Sequence, residues 1–155
     1  MNTSKLNLLE RREIEALIAV PLIKAYAQEL GFEKGVDIAT RVIQNLARKA
    51  GQEIAESLGS NGIDDLAHAV HDIWAREGAL EITILEQTQN TFAFNVTRCR
   101  YVEAYERLGV KDFGFYLSCS RDGAFSEGFN PKLKLTRTRT IMEGAPYCDF
   151  HFKME

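Results

Sequence analysis

The spacing of the apolar residues changes once along the chain, close to Gly78. Before this glycine, apolar residues recur every three or four positions, which is typical of amphipathic helices. After it, they alternate with polar residues over short runs, which is typical of strands that bury one face. The sequence therefore predicts an α+β fold, in which the mainly helical residues 1–78 pack on an antiparallel sheet formed within residues 79–155. A chain of 155 residues with no linker fits a single domain.

The first half of the chain predicts three helices. The first should be kinked or split by Pro21 and should end at Gly31. Its inward stripe is predicted to be Leu6, Leu9, Leu17, Ile18, Leu22, Tyr26 and Leu30. The second helix is predicted from about residue 34 to 58, with an inner stripe of Val36, Ile43, Leu46, Ala50 and Ile54. The third should stop at Gly78 and direct inward Ile63, Leu66, Val70, Ile73 and Trp74.

The second half of the chain predicts a hairpin followed by two further strands. Residues 80–84 and 92–97 alternate in polarity and are joined by a polar stretch, which is typical of a β-hairpin. Short helices are predicted at residues 98–108 and 113–119. The remaining alternating runs predict strands at residues 132–140 and 147–152.

Charge and composition exclude several classes of partner. The net charge of -3 is spread evenly, which does not favour nucleic acid or a membrane surface as a partner. No apolar run is long enough to span a bilayer, and the N-terminal residues do not resemble a secretory signal. Three cysteines cannot all pair within one chain, so we expect reduced thiols and a cytoplasmic location.

The three cysteines, Cys99, Cys119 and Cys148, lie in the second half of the chain beside charged or hydroxyl-bearing residues. Thiols in such surroundings are candidates for chemistry or for metal binding. If the fold brings all three together, they could share a zinc or iron site. Their spacings of 20 and 29 residues include no Cys-x-x-Cys pair, so the alternative is three separate buried side chains.

A second, weaker metal hypothesis rests on the third helix. Asp64, His68 and His71 lie at helical spacing and share a narrow polar arc. Two histidines so placed can hold a metal ion, and the alternative is an ordinary solvated face.

Arg137 is the charged residue most strongly constrained by its position. In a strand it shares a face with Leu133 and Leu135, so it should point inward. A buried guanidinium needs an anionic partner. Candidates for that partner are Asp122, Asp149, Glu143 and a ligand carboxylate, which arginine can bind through two hydrogen bonds. An exposed edge strand with both Arg137 and Arg139 in solvent is the alternative.

Asp122 is the first candidate for acid–base chemistry. It follows Ser118, Cys119, Ser120 and Arg121 in what is predicted to be a loop or a helix end. A partly desolvated carboxylate there could act as a general base. A local salt bridge or a helix cap is an equally good explanation.

Several blocks of the second half resemble the L-2-amino-thiazoline-4-carboxylic acid hydrolase family. They run in the family's order over roughly residues 80–152, and they are 94–105, 118–122, 127–131, 135–145 and 148–150. The resemblance implies hydrolytic opening of a cyclic amidine at a C–N bond, to give an N-carbamoyl amino acid. It also implies a small-molecule carboxylate as substrate.

The resemblance implies site residues in three roles. Arg98, Arg121, Arg137 and Asn130 would bind the substrate. Asp122, or else a thiolate of Cys119 or Cys148, would activate water. His151 or Asp149 would protonate the leaving nitrogen.

The closing Gly144-x-x-x-Cys148-x-Phe150 pattern also resembles small ligand-binding domains related to 4-vinyl reductase, some of which bind metal through cysteines. This chain has Ile141 where those domains often have a ligand cysteine. The alternative to an enzyme is therefore a non-catalytic sensor or carrier that binds a small ligand or a metal. A homo-oligomer is compatible with either function.

Overall fold

Five α-helices and a four-stranded sheet make up most of the computed structural model, which describes residues 5–155. The helices are α1 (Leu8–Leu30), α2 (Phe32–Leu58), α3 (Ile63–Ala69), α4 (Arg100–Arg107) and α5 (Arg121–Phe129). The strands are β1 (Leu80–Gln87), β2 (Thr91–Cys99), β3 (Leu133–Thr136) and β4 (Cys148–Met154). Their order in the sheet is β1-β2-β4-β3, and all neighbours are antiparallel. The predicted α+β class is confirmed.

Short helical turns connect several of these elements. Two are π-helical, Val70–Trp74 after α3 and Phe115–Cys119 before α5. Three are 3₁₀ turns, at Arg76–Gly78, Lys111–Phe113 and Ile141–Glu143. No helix among residues 5–155 combines the length and the apolar character needed to cross a membrane.

The first helix departs from its prediction in two ways. Asn7 and Glu10 form a reciprocal capping box at its start, and the helix continues through Pro21 without a break. Its buried residues are Ala16, Val20 and Ile23. The predicted inward stripe is wrong at Leu6, Leu17, Ile18, Leu22, Tyr26 and Leu30, all of which are exposed. Apolar periodicity finds a helix but cannot tell which of two apolar faces meets the core.

The second and third helices follow their predictions closely. α2 buries Val36 and Ile43 as expected, although Leu46 points to solvent, and it ends at Gly59 with a positive φ of 71°. In the third helical region Ile63, Leu66, Val70 and Trp74 are buried. Leu66 and Val70 are fully inaccessible, so this region is anchored on the sheet.

The sheet contains the predicted hairpin, but its third strand is shorter than predicted. β1 and β2 pair as a hairpin, and β2 also pairs with β4. β3 ends at Thr136 rather than residue 140. The Asp149 side chain accepts hydrogen bonds from the backbone N–H groups of Thr138 (2.9 Å) and Arg139 (2.8 Å). Because these two backbone N–H groups bond to a side chain instead of to a neighbouring strand, the hydrogen-bonded pairing of β3 with β4 ends at Thr136.

Aromatic side chains form the centre of the core. Phe94 on β2 stacks on Phe150 of β4, with ring centroids 4.8 Å apart and planes 9° from parallel. Trp74 meets Phe125 of α5 edge to face at 5.3 Å. Such pairs stabilise a core beyond simple burial. They also fix α5 above the sheet.

The closest helix contact is the crossing of α2 and α5, which depends on two glycines. A Cβ on Gly51 would lie less than 3.0 Å from the Phe125 carbonyl oxygen, and one on Gly128 less than 3.0 Å from the Arg48 carbonyl oxygen. The sequence did not predict α5, because Gly123 and Gly128 weaken its intrinsic helix propensity. Tertiary packing forms the helix despite that propensity.

We expect Gly128→Ala to lower the free energy of unfolding by about 1–3 kcal/mol, since the new methyl group must displace backbone atoms. Gly123→Ala is the matched control, because it lies in the same helix and its Cβ would meet no atom within 4 Å. That substitution should be neutral or stabilising by about 0.4–1 kcal/mol. Urea denaturation of both variants measures the difference. Equal stability of the two would contradict a glycine-dependent crossing.

Candidate functional site

A small cavity lies between α1, α2, α5 and the inner face of the sheet. Its volume is about 90 Å³. A cavity needs only about 10–15 Å³ of such space to admit one water molecule, so this one has room for several. Its apolar lining comprises Leu8, Ala47, Ala50, Trp74, Leu80, Val96, Phe125, Met142 and Phe150.

Much of the polar lining comes from the turn that joins the π-helical segment to α5, and Arg12, Tyr101 and Arg137 add to it from other elements. Within this turn Ser120 Oγ donates to the Tyr116 carbonyl at 2.7 Å, and Arg121 Nε donates to the Leu117 carbonyl at 2.7 Å. These bonds fix the start of α5. As a result, Ser118, Cys119, Arg121 and Asp122 all line the cavity. π-helical insertions are frequent at functional sites.

A buried ion pair joins Asp122 to Arg137. Arg137 Nη1 donates to Asp122 Oδ2, and Nη2 donates to the Cys119 carbonyl at 2.9 Å. The guanidinium also lies over the Phe150 ring, 4.9 Å from its centroid. The two side chains are only 10% and 20% exposed. The inward direction of Arg137 is thus confirmed, and Asp122 is its anionic partner.

The pair changes the acidity of both groups. Burial raises the pKa of Asp122 above its usual value, and the nearby Arg137 charge opposes this only in part. Burial lowers the pKa of Arg137, but attraction to Asp122 outweighs it and the net shift is upward. Asp122 is therefore a carboxylate of increased basicity that faces a cavity.

Two further arginines share one carboxylate at the cavity wall. Arg12 Nη1 donates to both Glu15 oxygens, at 3.0 and 2.7 Å, and Arg121 Nη2 donates to Glu15 Oε2 at 3.1 Å. Burial, followed by repulsion from Arg12, lowers the pKa of Arg121 to about 10. The guanidiniums of Arg12, Arg121 and Arg137 carry three positive charges, and the carboxylates of Glu15 and Asp122 carry two negative charges. The group therefore has a net charge of +1. An anion in the cavity would neutralise it.

All three cysteines line this cavity, which brings together residues that are far apart in sequence. Burial raises the pKa of Cys99 to about 11, and it also raises the pKa values of Cys119 and Cys148. Cys148 Sγ accepts a hydrogen bond from Ile141 N at 3.2 Å. The thiols are therefore protonated at neutral pH and are poor nucleophiles.

The structure gives no support to the predicted zinc or iron site. Among residues 5–155, no group of three or more His, Cys, Asp or Glu side chains is arranged to hold a metal ion. This includes the hypothesis on the third helix, where His68 Nε2 instead pairs with Asp72 at 2.7 Å.

Four residues expected at the site lie outside the cavity lining. Arg98 is exposed and pairs with Glu103 at 2.7 Å. Asn130 bonds to the Asn61 carbonyl and to Lys132 N, and so holds a loop. His151 alternates with buried residues of β4 and points to solvent, while Asp149 is occupied by the backbone after β3.

Arg12 is the site residue that the sequence analysis missed. It lies four residues before Ala16 and eight before Val20, on the buried side of α1. An arginine in register with a buried stripe is a signal of a partnered charge. That signal was hidden because the larger apolar residues of α1 predicted the opposite face.

Comparison with known proteins identifies one family. The sequence profile described as L-2-amino-thiazoline-4-carboxylic acid hydrolase matches residues 11–152, so the match includes the helices as well as the sheet. Comparison with curated proteins gave no match.

Two solved structures share the fold. One is a trafficking protein particle complex subunit 3 from Naegleria fowleri, covalently bound to palmitic acid. It is 8% identical with a TM-score of 0.55, and 94% of this chain aligns with 95% of that one. The other is the phenol-responsive sensory domain of the transcription activator PoxR with phenol. It is 16% identical with a TM-score of 0.56, and 90% of this chain aligns with 73% of that one. At these identities the likeness concerns the fold alone.

We expect the Cys99 thiol to titrate near pH 11 in the folded protein, because burial opposes its ionisation. The stabilisation linked to this thiol is then fully present below its unfolded pKa of about 8.5 and is lost as the pH rises through about 11. The ¹³Cβ shifts of labelled cysteine, followed against pH in native and denatured protein, measure both pKa values. A native Cys99 that titrates below its denatured value would contradict the expectation.

Arg137→Met should lower the free energy of unfolding by roughly 3–5 kcal/mol, because it leaves the Asp122 carboxylate buried without a partner. Arg139→Met is the control, since Arg139 is exposed and makes no ion pair with any other residue of 5–155, although its guanidinium lies 5.1 Å from the centroid of the Tyr147 ring. It should change stability by at most about 1 kcal/mol. Urea denaturation at pH 7 compares them. A small effect of Arg137→Met would mean that the pair contributes little to the fold.

Proposed function

The chain belongs to the L-2-amino-thiazoline-4-carboxylic acid hydrolase family, and on that premise we propose that it hydrolyses a small cyclic amidine that carries a carboxylate. The observation that supports this proposal most directly is Asp122. It is a buried carboxylate with a raised pKa, held by Arg137 at a cavity that carries one surplus positive charge.

The cavity suits a single small ring with short substituents. Its volume of about 90 Å³ is too small for a peptide or a nucleotide. Trp74 and Phe125 offer aromatic surface against which a heterocycle can pack.

Arg12 and Arg121 are the proposed anchors for the substrate carboxylate. Glu15 and the Leu117 carbonyl occupy only part of their ten N–H donors. Both side chains line the cavity. Arg137, by contrast, is occupied by Asp122 and the Cys119 carbonyl, so its role is to orient the base. This assignment differs from the expectation that Arg137 itself binds the substrate.

Asp122 acts as the general base in this proposal. It takes a proton from a water molecule as the water oxygen attacks the amidine carbon between the ring nitrogen and the ring sulfur. A raised pKa makes the carboxylate a stronger base, and the neighbouring Arg137 charge favours its ionised form. The three protonated thiols around it do not compete for this role.

The product determines which bond breaks. An N-carbamoyl amino acid keeps the ring nitrogen, so in a thiazoline the bond that breaks is ring C–S rather than the C–N bond expected from the sequence. The electron pair leaves with sulfur, and the two hydrogens of water end on the ring nitrogen and on the sulfur. A thiol has a pKa of about 8.5 and leaves readily, so no strong acid is needed. The outward position of His151 is consistent with this step.

A non-catalytic sensor is the second candidate, and the apolar lining of the cavity favours it. The sensory domain of PoxR, which has this fold, was solved with phenol. A neutral aromatic ring could pack on Trp74 and Phe125 without using the arginines. Tight binding of phenols, with no turnover of any thiazoline, would select this function.

We expect Asp122→Asn to reduce turnover of 2-amino-thiazoline-4-carboxylate by about 10²–10⁴-fold, because the variant keeps the shape of the side chain but lacks the basic oxygen. Release of thiol and of carbamoyl product measures the rate. Glu127→Gln is the control, since this carboxylate lies on the same helix, is half-exposed and pairs with Arg48 outside the cavity. It should leave the rate unchanged.

Three outcomes separate the alternatives. An analogue without the carboxylate should bind more weakly if Arg12 and Arg121 are the anchors. If the wild-type protein releases no thiol, the proposed reaction is wrong. If Asp122→Asn and Glu127→Gln each lose activity only in proportion to their loss of folded protein, as measured by circular dichroism, then Asp122 has a structural role. In that case another residue is the base.

A further inference from the structure

The outer face of α1 exposes a long apolar stripe. Ile14, Ile18, Leu22 and Tyr26 follow one another at intervals of four residues, and Leu17 lies beside them. These side chains are between 45% and 65% exposed. In contrast, the described part of α1 buries only Ala16, Val20 and Ile23 against its own chain. The helix thus presents more large apolar side chains to solvent than to the core.

The stripe is large enough to form the apolar centre of a protein interface. With about 150–200 Å² for a fully exposed large side chain, its five residues expose on the order of 400–500 Å². A stable interface buries about 800 Å² per partner, of which a little over half is apolar. The exposed polar side chains of α1 beside the stripe would supply the remaining area.

Opposite charges mark the two ends of this stripe. Arg11 lies three residues before Ile14, and Glu29 lies three residues after Tyr26. At 100° per residue both fall on the same face as Ile18. Both are exposed, and neither makes an ion pair with another residue of the described range 5–155. They are equally distant from Val20 along the helix.

We propose that this face binds the same face of a second copy of the chain, with the two α1 helices antiparallel around a two-fold axis level with Val20. In this register Ile14 meets Tyr26 of the other copy, and Ile18 meets Leu22. Each Arg11 then lies opposite a Glu29. One patch that contacts itself in this way is the common form of a two-fold interface.

The positions of Arg11 and Glu29 favour a second copy of the chain as the partner and an antiparallel arrangement of the two α1 helices. A parallel pair would place Arg11 on Arg11 and Glu29 on Glu29, and like charges in contact are unfavourable. The antiparallel pair neutralises all four charges. It also covers Ile18, the most exposed large apolar side chain of the helix. Pairing would hold α1, and therefore Arg12, against the cavity.

The oligomeric state of the full chain tests the proposal. Sedimentation velocity over a dilution series should give twice the chain mass at micromolar concentration. Ile18→Glu should convert the protein to a monomer, or raise the dissociation constant at least about a hundredfold, because each dimer would bury two uncompensated charges. Leu85→Glu is the control, since Leu85 is 62% exposed and lies on β1. It should leave the mass unchanged.

A charge swap tests the register without disturbing the apolar contact. Arg11→Glu should weaken the dimer, because each introduced carboxylate faces Glu29 of the other copy. Adding Glu29→Arg to the same chain should restore the wild-type dissociation constant. The charge swap tests the proposed dimer even if the Ile18→Glu variant does not fold. Arg11 and Glu29 are both exposed, so we expect their replacement to leave the fold of the monomer intact.

A wild-type protein that remains monomeric at about 100 μM, roughly a hundredfold above a micromolar dissociation constant, would overturn the proposal. So would a dimer that Ile18→Glu leaves intact in folded form, or a charge swap that fails to restore binding. Binding of the monomer to phosphatidylcholine vesicles would assign the face to a lipid surface instead, and would equally overturn it.

Discussion

The close crossing of α2 and α5 is the contact on which the site depends. Gly51 and Gly128 let the two backbones meet with no side chain between them. The close approach of α2 and α5 allows Phe125 of α5 to contact Trp74, and it places the first turn of α5 over the sheet. Asp122 lies in that turn, beside Arg137 at the end of β3. A wider crossing would move Asp122 away from the guanidinium that orients it.

The buried charges around the cavity contribute little to the stability of the fold. A buried ion pair gains little over a well-packed apolar pair of the same size, because both ions lose their hydration. Here three guanidiniums and the Asp122 carboxylate line one small cavity, and Glu15 pairs with two of the guanidiniums from outside the lining. A surplus positive charge in such a place costs energy in the empty protein and is offset when an anion binds. The thiols add only small, neutral, polarisable surface at neutral pH.

Much of the fold was readable from local pattern, and much of the site was not. The hairpin, α2, α4 and the final strand followed from periodicity, since each buries one face with a regular repeat. The sequence motifs predict Asp122, Arg121, Arg137 and the three cysteines as site residues, and all of them line the cavity. The same motifs predict Arg98, Asn130 and His151, which lie outside it, because short motif blocks contain residues that hold loops and strands as well as residues that face the cavity.

The sequence by itself determined the fold class and the polarity of the turn before α5. Each of these depends on the residues adjacent in the chain. Only the tertiary structure decided that α5 is a helix, that Arg12 joins the site and that the apolar stripe of α1 faces outward. Those outcomes depend on contacts between distant residues: two glycines against a backbone, a carboxylate shared by two arginines, and small residues packed where large ones were expected. Local propensity contains no information about such contacts.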